Sequence, residues 1–340
     1  MLKKEVTIYD LAHQLKLSTA TISRALNDDP AVSDKKRKVI QDFARKQGYQ
    51  RNMFARNLRN QKTNTIGVIV HELNSHFITT VLSSIEKVTS AAGYDLIITH
   101  SSECPQKEAA NAQNLFHKRV DALIVSLSFT TQNLDHFHLF QEKDIPVVFF
   151  DRVEEKSNNT QVIIDNYRCG FAATEHLIEQ GCRRIALVTA NLQRNVYAQR
   201  FRGYTEALSK HGIPYDKSLV LIKGLSEECS VEAAQELLAM PERPDGIFLT
   251  NDFSAAVCMQ TLKEQGVRIP EDIAIVGFND DAISKITEPK LTTVRYPAND
   301  IGEMVAHCVL NRLSGATPIH FNETVIVRSE LIVRASSMRK

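Results

Sequence analysis

The sequence predicts an α/β protein with an all-α N-terminal head: a helix-turn-helix unit, then two lobes of doubly wound parallel sheet. Three observations carry that expectation. The first 62 residues hold 14 Lys and Arg against 6 Asp and Glu, a net charge of +8, while the rest of the chain is −7 and the whole +1. The head reads as short amphipathic helices. From Thr65 onward, short apolar runs alternate with helical patterns, as in parallel strands covered on both faces. At 340 residues and 43% hydrophobic composition, two or three globular domains are expected, and disordered and fibrous classes are excluded.

In the head, Thr7 with Asp10 reads as a helix start close to a capping box. Leu11, Ala12 and Leu15 follow on one face. After a break at Lys16 and Leu17, Ser18 caps a second helix with Ile22, Ala25 and Leu26 inward. Thr19, Ala20, Ser23 and Arg24 point the other way. Residues 27–30 end it. Ser33 caps a third helix, with Val39, Ile40, Phe43 and Ala44 inward and Gly48 as its stop. Two short helices braced by a third make a helix-turn-helix unit. Small and polar outward residues let its second helix approach base edges, and Arg24 can fork onto a guanine or clamp a phosphate. The domain boundaries read as a head over 1–50, a hinge helix over 51–62 and a two-lobed core over 63–340.

In the core, apolar runs at 66–70, 96–98, 122–127 and 147–150 flank helical patterns near 77–92, 106–119 and 133–143. A second series has strands at 162–164, 185–188, 219–222, 247–249 and 273–276, with helices near 167–180, 198–211, 230–240 and 253–265. A last strand reads over 325–333. Gly93, Gly181, Gly212 and Gly266 sit where helix C-caps belong. The series is too long for one sheet, and 161–166 makes a natural crossover between lobes. Ligands in such sheets bind beyond the carboxyl ends of the strands. The residues there are polar: His71 to Phe77, Asp151 and Arg152, Asp165, Asn191 to Arg200, Asn251 and Asp252, Asn279 and Asp280. Asp252 reads as a helix cap.

The segment VTIYDLAHQLKLSTATISRALN, then Val32 and Ser33, then GYQRNMFARNLR, resembles the lactose-repressor/galactose-repressor (LacI/GalR) family of transcriptional regulators, and the likeness runs on to ELIVRASS at 330–337. Two positions depart: Lys16 replaces the family's turn glycine, and Arg51 the proline before the hinge asparagine. The resemblance implies that Thr19 and Ala20 are the specificity pair, with Thr7, Ser18, Thr21, Ser23, Arg24 and Asn27 completing the DNA-contacting set. It implies a hinge helix in which Asn52, Ala55, Arg56 and Leu58 meet DNA, Leu58 wedging into a base step. It implies a periplasmic-binding-protein core with further crossovers near 289–293 and 321–327. In its cleft Phe77, Asp151, Asp165, Arg194, Arg200, Asn251, Asn279 and Tyr296 would hold an effector. Paired donors and acceptors with an aromatic face suit a sugar; a purine or other small metabolite is the alternative. The family's tetramer-forming heptad tail is missing after the last strand, which implies a homodimer on a pseudo-palindromic DNA operator.

Other classes fare worse. No apolar run approaches the ~18 residues that span a bilayer, and no secretory leader opens the chain, so no membrane partner and a cytoplasmic location are expected. Six cysteines without a CxxC pair read as buried hydrophobes. His71, Glu72 and His76 miss the spacing of a metal-binding helix, and Ser33 to Lys36 lacks the companion motifs of an acylating serine. No catalytic residue, metal or cofactor is therefore assigned. A solute-binding protein for transport lacks a leader and would not need the basic head. An enzyme on the same lobes would need a nucleophile–base or phosphate-binding motif.

Overall fold

The computed structural model describes residues 6–49, 62–155 and 157–339. The chain divides into a head, Met1–Thr63, and a body, Asn64–Lys340.

Head helix α1 (Ile8–Leu15) opens on a complete capping box. The Thr7 hydroxyl accepts from the Asp10 amide, and the Asp10 carboxylate accepts the Thr7 amide at 2.8 Å. Lys16 then turns the chain at φ 53°, ψ 42°. That left-handed region favours glycine, and a side chain there costs roughly 1–2 kcal/mol. Helix α2 (Thr19–Leu26) starts at Ser18, whose hydroxyl accepts from the Thr21 amide at 3.2 Å. Helix α3 (Asp34–Lys46) differs from expectation in two ways. Ser33 holds the N-cap position without a side-chain capping bond; Arg37 ties the turn instead, donating to the Val32 carbonyl at 2.8 Å and the Asp29 carbonyl at 3.1 Å. Val39 is 57% exposed. The buried stripe runs through Ile40 and Ala44, and a residue one step away lies ~100° round the helix.

The body's first lobe takes β1 (Thr65–Val70), α4 (His76–Ala91), β2 (Asp95–His100), α5 (Pro105–His117), β3 (Ala122–Val125), α6 (His138–Glu142), β4 (Val147–Phe150) and β5 (Thr160–Ile164). The second follows with α7 (Asn166–Glu179), β6 (Ile185–Thr189), α8 (Asn195–Lys210), β7 (Val220–Ile222), α9 (Glu227–Ala239), β8 (Gly246–Leu249), α10 (Asp252–Glu264), β9 (Ala274–Asn279), α11 (Ile283–Ile286) and β10 (Thr292–Arg295). The chain then returns to the first lobe as α12 (Ala298–Leu313) and β11 (Thr324–Val327), and ends in the second with β12 (Leu331–Ile332). The sheets run β11-β5-β4-β3-β1-β2 and β12-β10-β9-β8-β6-β7. Every pairing is parallel except β10 with β12. The central strands β3, β4, β6 and β8 are buried along their whole length, as their continuous apolar runs require.

The crossovers depart from the sequence reading at the C-terminal end. The first lies between β5 and α7, within 161–166. The second lies between β10 and α12, because 289–293 leads into a strand of the second lobe. The third lies between β11 and β12. The stretch read as one strand over 325–333 is two strands in different sheets, and only tertiary pairing separates them at Arg328 to Glu330. Helix α12, unread in the sequence, packs on α4.

Helices α7 and α8 approach closely because both carry glycine at the contact. A Cβ on Gly170 would sit 2.3 Å from the Arg200 carbonyl, and one on Gly203 2.2 Å from that of Tyr167. This close crossing sets the depth of Arg200.

Candidate DNA interface and effector cleft

On α2, Ile22, Ala25 and Leu26 are buried against the other head helices. Ala20, Arg24, Ser18 and Asn27 are exposed, as is Thr7 on α1, and Thr19, Thr21 and Ser23 are half-buried. Several of these hydroxyls already work within the head. Ser18 Oγ meets Thr21 Oγ1 at 2.9 Å, and Thr7 closes the capping box. Arg24 in the last turn and Ala20 in the first thus present side chains outward with least local commitment. The hinge positions Asn52, Ala55, Arg56 and Leu58 lie outside the described residues.

In the body, the predicted effector residues separate into groups. Phe77 of α4 stacks on Tyr296, with ring centroids 4.2 Å apart at 21°. The Tyr296 hydroxyl donates to Asp151 Oδ1 at 2.6 Å, joining the second lobe to the first. Asp151 has φ 58° and is buried. Burial pushes its carboxyl upward, against the pull of Arg152. Arg194 crosses the lobes too: Nε donates to the Phe129 carbonyl at 3.0 Å, and a second nitrogen to that of Thr131. Asn195 beside it accepts from the Val153 amide at 3.0 Å and donates to the Asp151 carbonyl at 2.9 Å. Arg200 stays within its lobe. It donates to Asn166 Oδ1 at 2.9 Å and the Thr250 carbonyl at 3.0 Å, with its guanidinium 3.5 Å over the Phe278 ring. Burial lowers its proton affinity.

A cavity of about 1220 Å³ opens beyond these contacts, bounded by both lobes. Of the predicted effector residues, Asn251 lines it. Phe77, Asn279 and Tyr296 border a separate space of about 270 Å³. Asp165 is elsewhere: it caps α7, accepting from the Arg168 amide at 2.9 Å, and edges a groove with Ile326 and Ser329. The structure therefore does not bring Asp165 to the cleft.

Asp252 is not a cap. Asn251 caps α10 by accepting from the Ser254 amide at 3.1 Å. Asp252 is fully buried and accepts from Thr293 Oγ1 at 2.6 Å and the Asp281 amide at 2.8 Å. Burial pushes its carboxyl up to about 7.

Arg152, named among the strand ends, and residues not singled out in the sequence also shape the cleft. Arg152 donates to Glu103 at 2.6 Å, and its guanidinium lies 3.9 Å over the Phe129 ring. Glu108, fully buried on α5, accepts from the Ser128 amide and hydroxyl, from Thr131 Oγ1, and faces His136 Nε2 at 3.1 Å. It thereby holds the loop whose carbonyls receive Arg194. Glu103 and Phe129 follow β2 and β3, so reading the ends of those strands as the others were read would have reached them. Among the described residues, no cluster of His, Cys, Asp and Glu is arranged to hold a metal, and no helix is long and apolar enough to cross a membrane.

Comparisons with known proteins agree with this architecture. Residues 7–52 match the model of bacterial regulatory proteins of the lacI family, and residues 174–337 that of a periplasmic binding protein-like domain. Catabolite control protein A of Priestia megaterium is 30% identical, covering 92% of this chain and 94% of its own. A crystal structure of the lac repressor dimer bound to operator and an anti-inducer has the same fold, at TM-score 0.87 and 22% identity, over 99% of this chain and 100% of its own. A family regulator from Enterococcus faecium with bound ribose is 25% identical at TM-score 0.72, covering 80% of this chain and 98% of its own. A reading head of this kind on a two-lobed, cleft-bearing body defines a DNA-binding transcriptional regulator. This chain belongs to the lacI family of bacterial regulatory proteins.

Proposed function

We propose that the chain is a cytoplasmic repressor, not an enzyme, that binds a pseudo-palindromic operator as a homodimer and responds to a small effector, a sugar or sugar derivative, in its interlobe cleft. The observation that carries the reading is the outward face of α2. It is small at Ala20 and cationic at Arg24, on a head of charge +8. Such a face fits a major groove, and its charge favours phosphate contact. The hinge residues Asn52, Ala55, Arg56 and Leu58 would add a minor-groove wedge between half-sites.

The cleft supports the second half of the reading. Arg194, Asn195 and Tyr296 all bond across it. A ligand that favours one lobe arrangement shifts the head's affinity only through its differential binding to the two arrangements. The relatives named above include a ribose-bound regulator and an operator-bound dimer.

The test is fluorescence anisotropy with fragments of genomic DNA, repeated with sugars, sugar phosphates and purines. The reading expects nanomolar binding to a two-fold site, changed at least fivefold by one small molecule. Equal affinity for every fragment would sink the operator reading. Selective DNA binding that no small molecule alters would sink the effector half alone.

A further inference from the structure

The large interlobe cavity carries an inference that rests on the effector reading above. Its walls include the carboxylates of Glu72, Glu103, Glu227, Glu228 and Asp281. The basic side chains lining it are Arg152, Lys223 and His76, and each already faces a carboxylate, His76 that of Asp281 at 3.2 Å. Arg152 is held by Glu103 at 2.6 Å, and Lys223 lies 2.8 Å from Glu236. A phosphate or carboxylate on the ligand would meet the carboxylates of Glu72, Glu227 and Glu228, with Arg152 and Lys223 both taken by other partners. Carboxylates are instead acceptors for hydroxyl hydrogens, two oxygens each. Asn251 adds an amide to the wall.

The apolar lining points the same way. Phe129, Leu225 and Phe253 line the cavity, and Phe253 is 41% exposed. Flat apolar surface beside acceptors matches a sugar, whose ring faces carry C–H and whose rim carries O–H. The size exceeds one ring. At about 1220 Å³ the cavity is larger than the roughly 300–1,000 Å³ of an ordinary small-ligand site. We infer that the effector is an uncharged saccharide of two or more rings, held in the cavity lined by Phe129, Asn251 and Phe253.

Thermal melting of the full chain tests this with three sets of compounds. The first is cellobiose, maltose and maltotriose. The second is glucose and ribose. The third is glucose 6-phosphate, fructose 1,6-bisphosphate and glucuronate. A di- or trisaccharide should raise the melting temperature by about 5 °C at a hundredfold excess over its Kd, and no anionic sugar should. Phe253→Ala, at a partly exposed position, should keep its own melting temperature and lose tenfold or more of that saccharide's affinity by calorimetry. A shift from an anionic sugar, or from single-ring sugars alone, overturns the inference and leaves the effector cleft standing. Unchanged affinity in Phe253→Ala overturns the placement in this cavity. No shift from any compound overturns the inference, and the effector reading then falls only if the sugars, sugar phosphates and purines titrated against operator binding also change nothing.

Discussion

Arg24 stands exposed on α2, beyond the buried stripe of Ile22, Ala25 and Leu26. Arg24→Ala is expected to weaken operator binding by about 1–3 kcal/mol, the worth of one good base contact, with the melting temperature unchanged. Anisotropy titration checks it. Arg200 differs, because its bonds are to Asn166 and to the Thr250 carbonyl. Removing it leaves buried partners unpaired, at about 1–3 kcal/mol each. Arg200→Ala should therefore lower the melting temperature by several degrees with no ligand present. A melting temperature equal to the wild type's, with effector binding lost, would make it a ligand contact instead. Asp252 gives a pH signature. Its folded pKa, about 7, lies above the ~3.9 of an unfolded Asp. Between those values the folded chain holds a proton that the unfolded chain releases, so stability from this site falls as pH rises from about 4 to 7. Asp252→Asn has no such titration. The wild type's margin over that variant should shrink across the window, measured by melting at several pH values. A margin that holds constant or widens would mean the carboxylate stays charged in the fold.

At the scale of elements, the sharpest constraint is the crossing of α7 and α8. The missing side chains of Gly170 and Gly203 let the backbones touch, and Arg200 and Asn195 reach their partners from that position. Gly203→Ala gains helix propensity of about 1 kcal/mol. Its Cβ would meet the Tyr167 carbonyl at 2.2 Å, an overpacking that costs roughly 1–3 kcal/mol. The expected outcome is a net loss of stability in urea unfolding, together with a weaker effector response, since Arg194 and Asn195 open the same helix. A stabilised variant would show that the helices separate freely. The head elements were legible because caps are local. Thr7, Asp10 and Ser18 satisfy amides three residues away, and no tertiary context is needed. Ser33 holds the N-cap position without a side-chain bond, and the turn before α3 is tied by Arg37, which donates to the Val32 and Asp29 carbonyls.

For the whole molecule, the separation of charge separates two kinds of binding. The head carries +8 and the remainder −7. Operator affinity should therefore fall steeply with salt through counterion release. An uncharged effector bound among carboxylates should show almost no salt dependence. Titrations at 50 and 200 mM salt check both: a drop on the order of a hundredfold or more for operator, and less than twofold for effector. An operator affinity indifferent to salt would remove the basic head from the interface.

By itself, the sequence determined the class of this protein, its helical head and the strands of both sheets up to β9; it missed β10 and merged β11 with β12. Those features rest on local periodicity, capping and charge, which the chain carries residue by residue. The ends of strands also marked where a cleft lies. Tertiary structure alone decided the rest. It divided residues 325–333 between two sheets, gave the N-cap to Asn251 and buried Asp252, placed Asp165 away from the cleft, and turned Arg194 toward the opposite lobe. It also assembled the acidic wall from Glu72, Glu103 and the neighbouring Glu227 and Glu228, three segments that lie far apart in the chain. Each of these depends on which backbone group or charge arrives from a distant segment, and local pattern holds no record of that.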